Sequence, residues 1–157
     1  MKESEQSIVS NETGLKLTAE MKNAINNALT SGTALAIAYV DENHSPHLSF
    51  RGSTQTYSDT QLAIWVRNPN GRILDATRNN PSVALIYGNF NPETRGFLTF
   101  RGRAAISDDA TVRNRVYTQA HEFEQKQDPE RKGVALIIDL DSVEGFFGGA
   151  RIQMRSG

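Results

Sequence analysis

Arginine, glycine and hydroxyl residues crowd into one stretch of this chain, and their spacing suits them to hold an anion. From His47 to Pro81 the sequence runs HLSFRGSTQTYSDTQLAIWVRNPNGRILDATRNNP. Arg51 lies in a polar strand-like segment, Arg67 closes the apolar segment QLAIWVR, and Gly71-Arg72 opens a short helical run that stops before Asn80-Pro81. A helix start presents unpaired backbone N–H groups and the positive end of the macrodipole. A guanidinium beside it completes a site for a phosphate-bearing ligand, because its planar fork matches two phosphate oxygens at once. In a strand over 47–56, side-chain alternation puts His47, Ser49, Arg51, Ser53 and Gln55 on one face, with Leu48 and Phe50 on the other.

Rival chemistries find little support. Cysteine is absent, which excludes disulfides, a thiol nucleophile and thiolate-bound metal. His44 and His47 lie in or beside a turn and His121 on a distant helix, so they make no metal set and none is expected. There is no GxGxxG, no GxxxxGK(S/T) and no nucleophile elbow, and no catalytic acid or base stands out. Trp65, Phe97 and Phe100 are suited to wall a flat ring, although aromatic residues on strands more often fill a core.

The net charge of −1 hides an asymmetry. Residues 44–107 carry seven arginines, no lysine and three acids, a balance of +4, so the remainder of the chain is acidic. A localised anion site explains that pattern better than nucleic-acid binding, which would make the whole domain basic. With 38% hydrophobic and 22% charged residues in 157, the composition is that of one ordinary folded domain. The polar opening MKESEQSIVSNETG lacks the apolar segment of a signal peptide, and no apolar run is long enough to span a bilayer. A cytoplasmic protein is expected, with residues 1–14 as a flexible tail and 15–157 as a single domain.

The elements that must position the arginines follow from periodicity and turn signals. Thr18 is a cap for a helix with Met21, Ile25, Ala28 and Leu29 on one face, stopped by Gly32. Strands are expected over 33–40, 47–56, 61–67, 82–90, 96–106 and 134–140, with a further one at 143–147. NPNG (68–71) is a turn into the helix over 71–79. A cap at Ser107 or Asp108 starts the longest helix, with Val112, Val116, Ala120 and Phe123 on one face, broken by DPERKG at 128–133. Strands joined by turns or one short helix point to an antiparallel barrel with peripheral helices, not to a doubly wound fold.

With these residues in place, the block from Arg51 to Pro81 resembles the pyridoxamine 5'-phosphate oxidase-like, FMN-binding split-barrel superfamily. Arg51–Thr56 matches its R-x-x-x-x-K strand, Ile64-Trp65-Val66-Arg67 its apolar-aromatic strand, Gly71-Arg72-Ile73 its Ser-Arg-Lys turn and Asn80-Pro81 its helix end. The strand GFLTFRGRA at 96–104 continues the match, so the resemblance spans roughly residues 18–145. It implies a mainly β, Greek-key antiparallel split β-barrel with peripheral α-helices. It also implies FMN held by Arg51, Gly52, Ser53, Thr54, Thr56, Val66, Arg67, Gly71, Arg72 and Phe97, with Arg72 the best phosphate ligand. The implied protein is a homodimer with its cofactor between subunits, to which Phe97, Phe100, Phe146 and Phe147 offer apolar surface. The implied activity is an FMN-dependent oxidoreductase acting on a small molecule. Three alternatives share the fold: an F420-dependent reductase, a haem-binding or haem-degrading protein with His121 or His47 as ligand, and a non-catalytic flavin-binding stress protein. Thr56 and Ile73 stand where the family's oxidases carry lysine, and Phe97 falls near a flavin-contacting glutamine. The tail GFFGGARIQMRSG lacks their tryptophan and arginine pattern, so vitamin B6 oxidation is not expected.

Overall fold

A computed structural model describes residues 8–10 and 14–157. Its elements are β1 (Ile8–Ser10), α1 (Ala19–Asn26), β2 (Ala36–Val40), β3 (Pro46–Phe50), β4 (Gln55–Ser58), β5 (Gln61–Val66) and α2 (Arg72–Asn79), followed by β6 (Ser82–Asn89), β7 (Gly96–Ser107), α3 (Ala110–Gln119), α4 (Glu122–Lys126), β8 (Val134–Phe147) and β9 (Ala150–Arg155). The sheet runs β1-β9-β8-β7-β6-β2-β3, and β5 joins it by pairing with both β8 and β4. Only the β1–β9 pairing is parallel among the described residues.

The barrel splits at β8. One edge pairs with β7 from Ala135 to Phe147 across a bulge at Asp141, but its other edge is divided: Val134–Asp139 pairs with β5, and Ser142–Phe147 with β9. The ladder between β7 and β8 shifts register at Arg101/Gly102. Gly102 permits that close approach, since a Cβ there would lie 2.2 Å from the Asp139 carbonyl oxygen. This is the mainly antiparallel split barrel that the strand spacing and the resemblance predict.

Two apolar clusters hold the barrel together. Leu62, Ile64 and Val66 point into the main core with Ile37, Leu85, Phe100 and Ile138. The alternate β5 residues Ala63 and Trp65 pack under α3 with Val116 and Tyr117. That explains why QLAIWV is apolar on both faces: one faces the barrel, the other a covering helix. Thr18 caps α1 by accepting from the Met21 amide, and Met21 and Ile25 are buried, as their spacing predicts.

Several expected boundaries change. The single strand over 47–56 is two strands, because the chain turns at residues 51–54 and leaves β2 to join β5. Residues 134–147 form one strand instead of two, and the glycine-rich tail supplies β9. The long helix is capped by Asp109 and breaks where Ala120 and His121 take extended backbone angles; His121 then caps α4. Phe123 therefore leaves the helix's apolar face and is exposed. Within the stretch read as a tail, Ile8–Ser10 pairs with β9; residues 1–7 and 11–13 lie outside the described residues.

Candidate anion and cofactor site

The turn between β3 and β4 builds the site. Arg51 extends β3 by one hydrogen bond, its amide donating to Leu35 O at 2.9 Å. The Arg51 carbonyl then accepts from both the Thr54 amide (3.1 Å) and the Thr54 hydroxyl (2.7 Å), closing a tight turn. The Ser53 hydroxyl is built into β5: it accepts from the Trp65 amide at 2.9 Å and donates to the Trp65 carbonyl at 3.0 Å. These bonds bring the start of the turn beside the end of β5. There the Asn68 carbonyl and side chain fold the next turn, accepting from the Gly71 and Asn70 amides at 2.9 Å each. Gly71 caps α2 without a side-chain acceptor, so the first N–H groups of α2 have no side chain to satisfy them.

The result is a pocket of about 470 Å³ lined by Arg51, Val66, Arg67, Gly71 and, from beyond α4, Gln127. Arg51 is half-buried, and its Nε is buried with no hydrogen-bond partner among the described residues. Burial pulls this guanidinium below its ordinary range, Arg67 nearby pulls the same way, and Tyr39 and Glu124 offset part of the effect. Arg67 is exposed, and among the described residues its side chain makes only a 3.4 Å contact to Gln127 Oε1. A desolvated guanidinium N–H without an acceptor is costly. An anion in this pocket would meet the guanidinium-bearing side chains of Arg51 and Arg67, and the open backbone at the start of α2 gives it further donors.

Not every residue expected at the site is placed there. Arg51, Val66, Arg67 and Gly71 come together around the pocket. Arg72 is exposed on the first turn of α2, between the lining residues Gly71 and Ile73. Ser53 and Thr54 are buried, with hydroxyls engaged in the turn, and Gly52 packs under the side chain of Glu124. Thr56 lies in a different cleft, beside Lys22 and Arg115, where it accepts from Asn26 Nδ2 at 3.0 Å and donates its amide to Asn26 Oδ1 at 2.9 Å. Gln55 turns away from the face of Arg51, donating to the Val116 carbonyl at 3.0 Å. Phe97 lies in an apolar hollow of about 590 Å³ with Phe50 and Phe90. Trp65 and Phe100 are core residues, so neither walls a flat ring.

Gln127 lines the pocket and Glu124 packs against Gly52 beside Arg51, and no motif in the sequence signals either. Their contribution depends on the break at Ala120–His121, which periodicity within one long helix conceals.

No protein-family model and no curated protein matches the chain. Solved structures do match over most of its length. HupZ of Group A Streptococcus superposes with a TM-score of 0.64 at 21% identity, covering 86% of this chain and 98% of that one. An FMN-binding protein from Syntrophomonas wolfei gives 0.61 at 8% identity, with 80% and 86% covered. A protein from Clostridium acetobutylicum related to general stress protein 26, of the pyridoxinephosphate oxidase family, gives 0.58 at 12% identity, with 85% and 95% covered. The shared property is the fold: this chain is a split barrel of the pyridoxamine 5'-phosphate oxidase-like type.

Proposed function

We propose, from that shared fold and the geometry of the pocket, that the chain binds FMN with the phosphate beside Arg51 and Arg67 and acts as an oxidoreductase on a small molecule. The observation that carries this reading is the buried, unpartnered Nε of Arg51 in a pocket with a second guanidinium. A bound flavin would supply hydride or electron transfer. The chain's part is to hold the phosphate through Arg51 and Arg67, to offer backbone N–H groups at the start of α2, and to keep water from the buried turn at residues 51–54. A haem reading lacks a ligand at this pocket. His47 Nε2 is paired with Asp41 Oδ2 at 2.8 Å and its ring stacks on Tyr39, while His121 Nδ1 accepts from the Phe123 amide. Titration of the protein with FMN and with riboflavin tests the proposal. Preference for FMN supports it; equal affinity removes the phosphate site.

The same reading includes a homodimer. On the outer sheet face Phe50 pairs in register with Ala36 and Ala36 with Ile86, with Leu48 and Ala38 in the next row. Leu48 and Phe50 are 72% and 76% exposed, and Ile86 and Phe90 are exposed beside them. Contiguous apolar surface of this kind marks an interface. It replaces part of the set expected from sequence, since Phe100 is wholly buried while Phe97, Phe146 and Phe147 are half-buried. A dimer over this face would bring the apolar hollow around Phe97 of one subunit to the subunit boundary, where a flavin ring needs apolar walls. Phe50→Asp should then give a folded monomer with weakened flavin binding. Sedimentation at micromolar concentration checks this, and an unchanged dimer would move the interface elsewhere.

A further inference from the structure

Glu124 packs against Gly52, the neighbour of the pocket-lining Arg51. Its Oε2 lies 2.6 Å from the position that a Cβ on Gly52 would take, which puts the carboxylate against the residue following Arg51. Glu124 is half-buried, yet its carboxylate accepts no hydrogen bond and forms no ion pair within 4 Å among the described residues. Arg51 likewise keeps its buried Nε without a partner. Two opposite charges on neighbouring parts of one site are thus both unbonded.

We propose that Glu124 is an internal counter-anion of the pocket, balancing Arg51 until an anionic group of a ligand enters beside Arg51 and displaces the carboxylate. This deepens the phosphate reading of the pocket and rests on it. With Arg51 and Arg67 lining one pocket, a nearby carboxylate offsets their repulsion. Once a phosphate is bound, that carboxylate becomes a like-charge neighbour and opposes it. Displacement needs only side-chain rotation, since no hydrogen bond holds the Glu124 carboxylate. The helix itself stays anchored: Gln125 Nε2 donates to the carbonyls of Tyr117, Thr118 and Ala120. The ligand class that competes best is a doubly charged phosphate monoester, because it gains most from two guanidiniums and is least deterred by one carboxylate.

The test uses Glu124→Gln, which keeps the shape and removes the charge, with Glu124→Ala as a second variant. Both should bind FMN about three- to tenfold more tightly than the wild type, the scale of one like-charge contact under water-like screening. Riboflavin affinity should not change. Inorganic phosphate, followed by its effect on the thermal midpoint, should protect both variants at lower concentration than the wild type. If the wild type prefers FMN to riboflavin but neither variant binds FMN more tightly, the counter-anion role is overturned and the phosphate reading survives. If the wild type does not distinguish the two flavins, the phosphate reading fails. The inorganic phosphate arm then decides the role of Glu124: stronger protection of the variants upholds it, and equal or no protection overturns it.

Discussion

Arg51→Ala is expected to lower FMN affinity about ten- to hundredfold while leaving riboflavin affinity nearly unchanged. A hydrogen bond to a charged group contributes roughly 1.5–3 kcal/mol, and each 1.4 kcal/mol or so is a factor of about ten in affinity. Arg51 is the residue to test because its guanidinium lines the pocket and its Nε is buried without an acceptor. The fold should not suffer. Removing a desolvated guanidinium whose Nε has no acceptor, and whose burial the Glu124 charge offsets only in part, removes a liability, so the thermal midpoint of the ligand-free variant should hold or rise. Flavin fluorescence quenching separates the possibilities. Equal losses for FMN and riboflavin would mean that Arg51 does not meet the phosphate, and a collapse in stability would mean that it holds the turn.

Asp128→Ala should be the most destabilising single substitution near the site, by about 3 kcal/mol or more, since a hydrogen bond to a charged acceptor contributes roughly 1.5–3 kcal/mol and three donors lose theirs. Asp128 is buried, and its carboxylate accepts from Trp65 Nε1, the Lys132 amide and the Gly133 amide, each at 2.9 Å. Alanine leaves all three donors without that acceptor and loosens the loop between α4 and β8 that carries Gln127. Burial pushes the Asp128 carboxyl up, but the two amides and the Trp65 N–H, with Arg113 nearby, more than offset it and hold it below the usual range. The sign follows from linkage. A depressed folded-state value adds stability that is fully present above the ordinary aspartate range, near pH 4, and is lost as pH falls through the folded value. Urea unfolding should therefore show a large gap between wild type and variant at neutral pH that narrows in acid. A gap that is small at neutral pH, or that widens in acid, would show that the carboxylate does not clamp this loop.

The barrel was legible because its strands alternate and its turns carry strong signals. Ile64-Trp65-Val66, the NPNG turn and the Thr18 cap all lead to the elements they form. Local pattern failed where tertiary pairing decides. HLSFRGSTQT alternates like one strand, yet the Ser53 hydroxyl bonds into β5 and turns the chain, which sends Gln55 and Thr56 away from Arg51. Spacing placed Arg51, Arg67 and Gly71 at one site, because consecutive elements carry them. It put Arg72 there too, as the best phosphate ligand, whereas Arg72 is exposed beside the lining, since the side chain of a first-turn residue takes its direction from the packing of the helix below it. The α4 residues were invisible for the same kind of reason: an extended pair at Ala120–His121 redirects the chain, and no sequence periodicity records it. The β9 strand lies in the C-terminal segment, where the sequence pattern assigned no element after residue 147.

On the proposed reading, the pocket lined by Arg51 and Arg67 holds the phosphate of FMN. The most direct measurement is to purify the protein without added cofactor, release whatever chromophore it carries and identify that molecule by absorbance and mass, then load the stripped protein with FMN. The expected result is a flavin spectrum, the mass of FMN, and reloading by FMN in preference to riboflavin. Haem or a deazaflavin released from the native protein, or a stripped protein that takes up no FMN, would show that the pocket is not an FMN site.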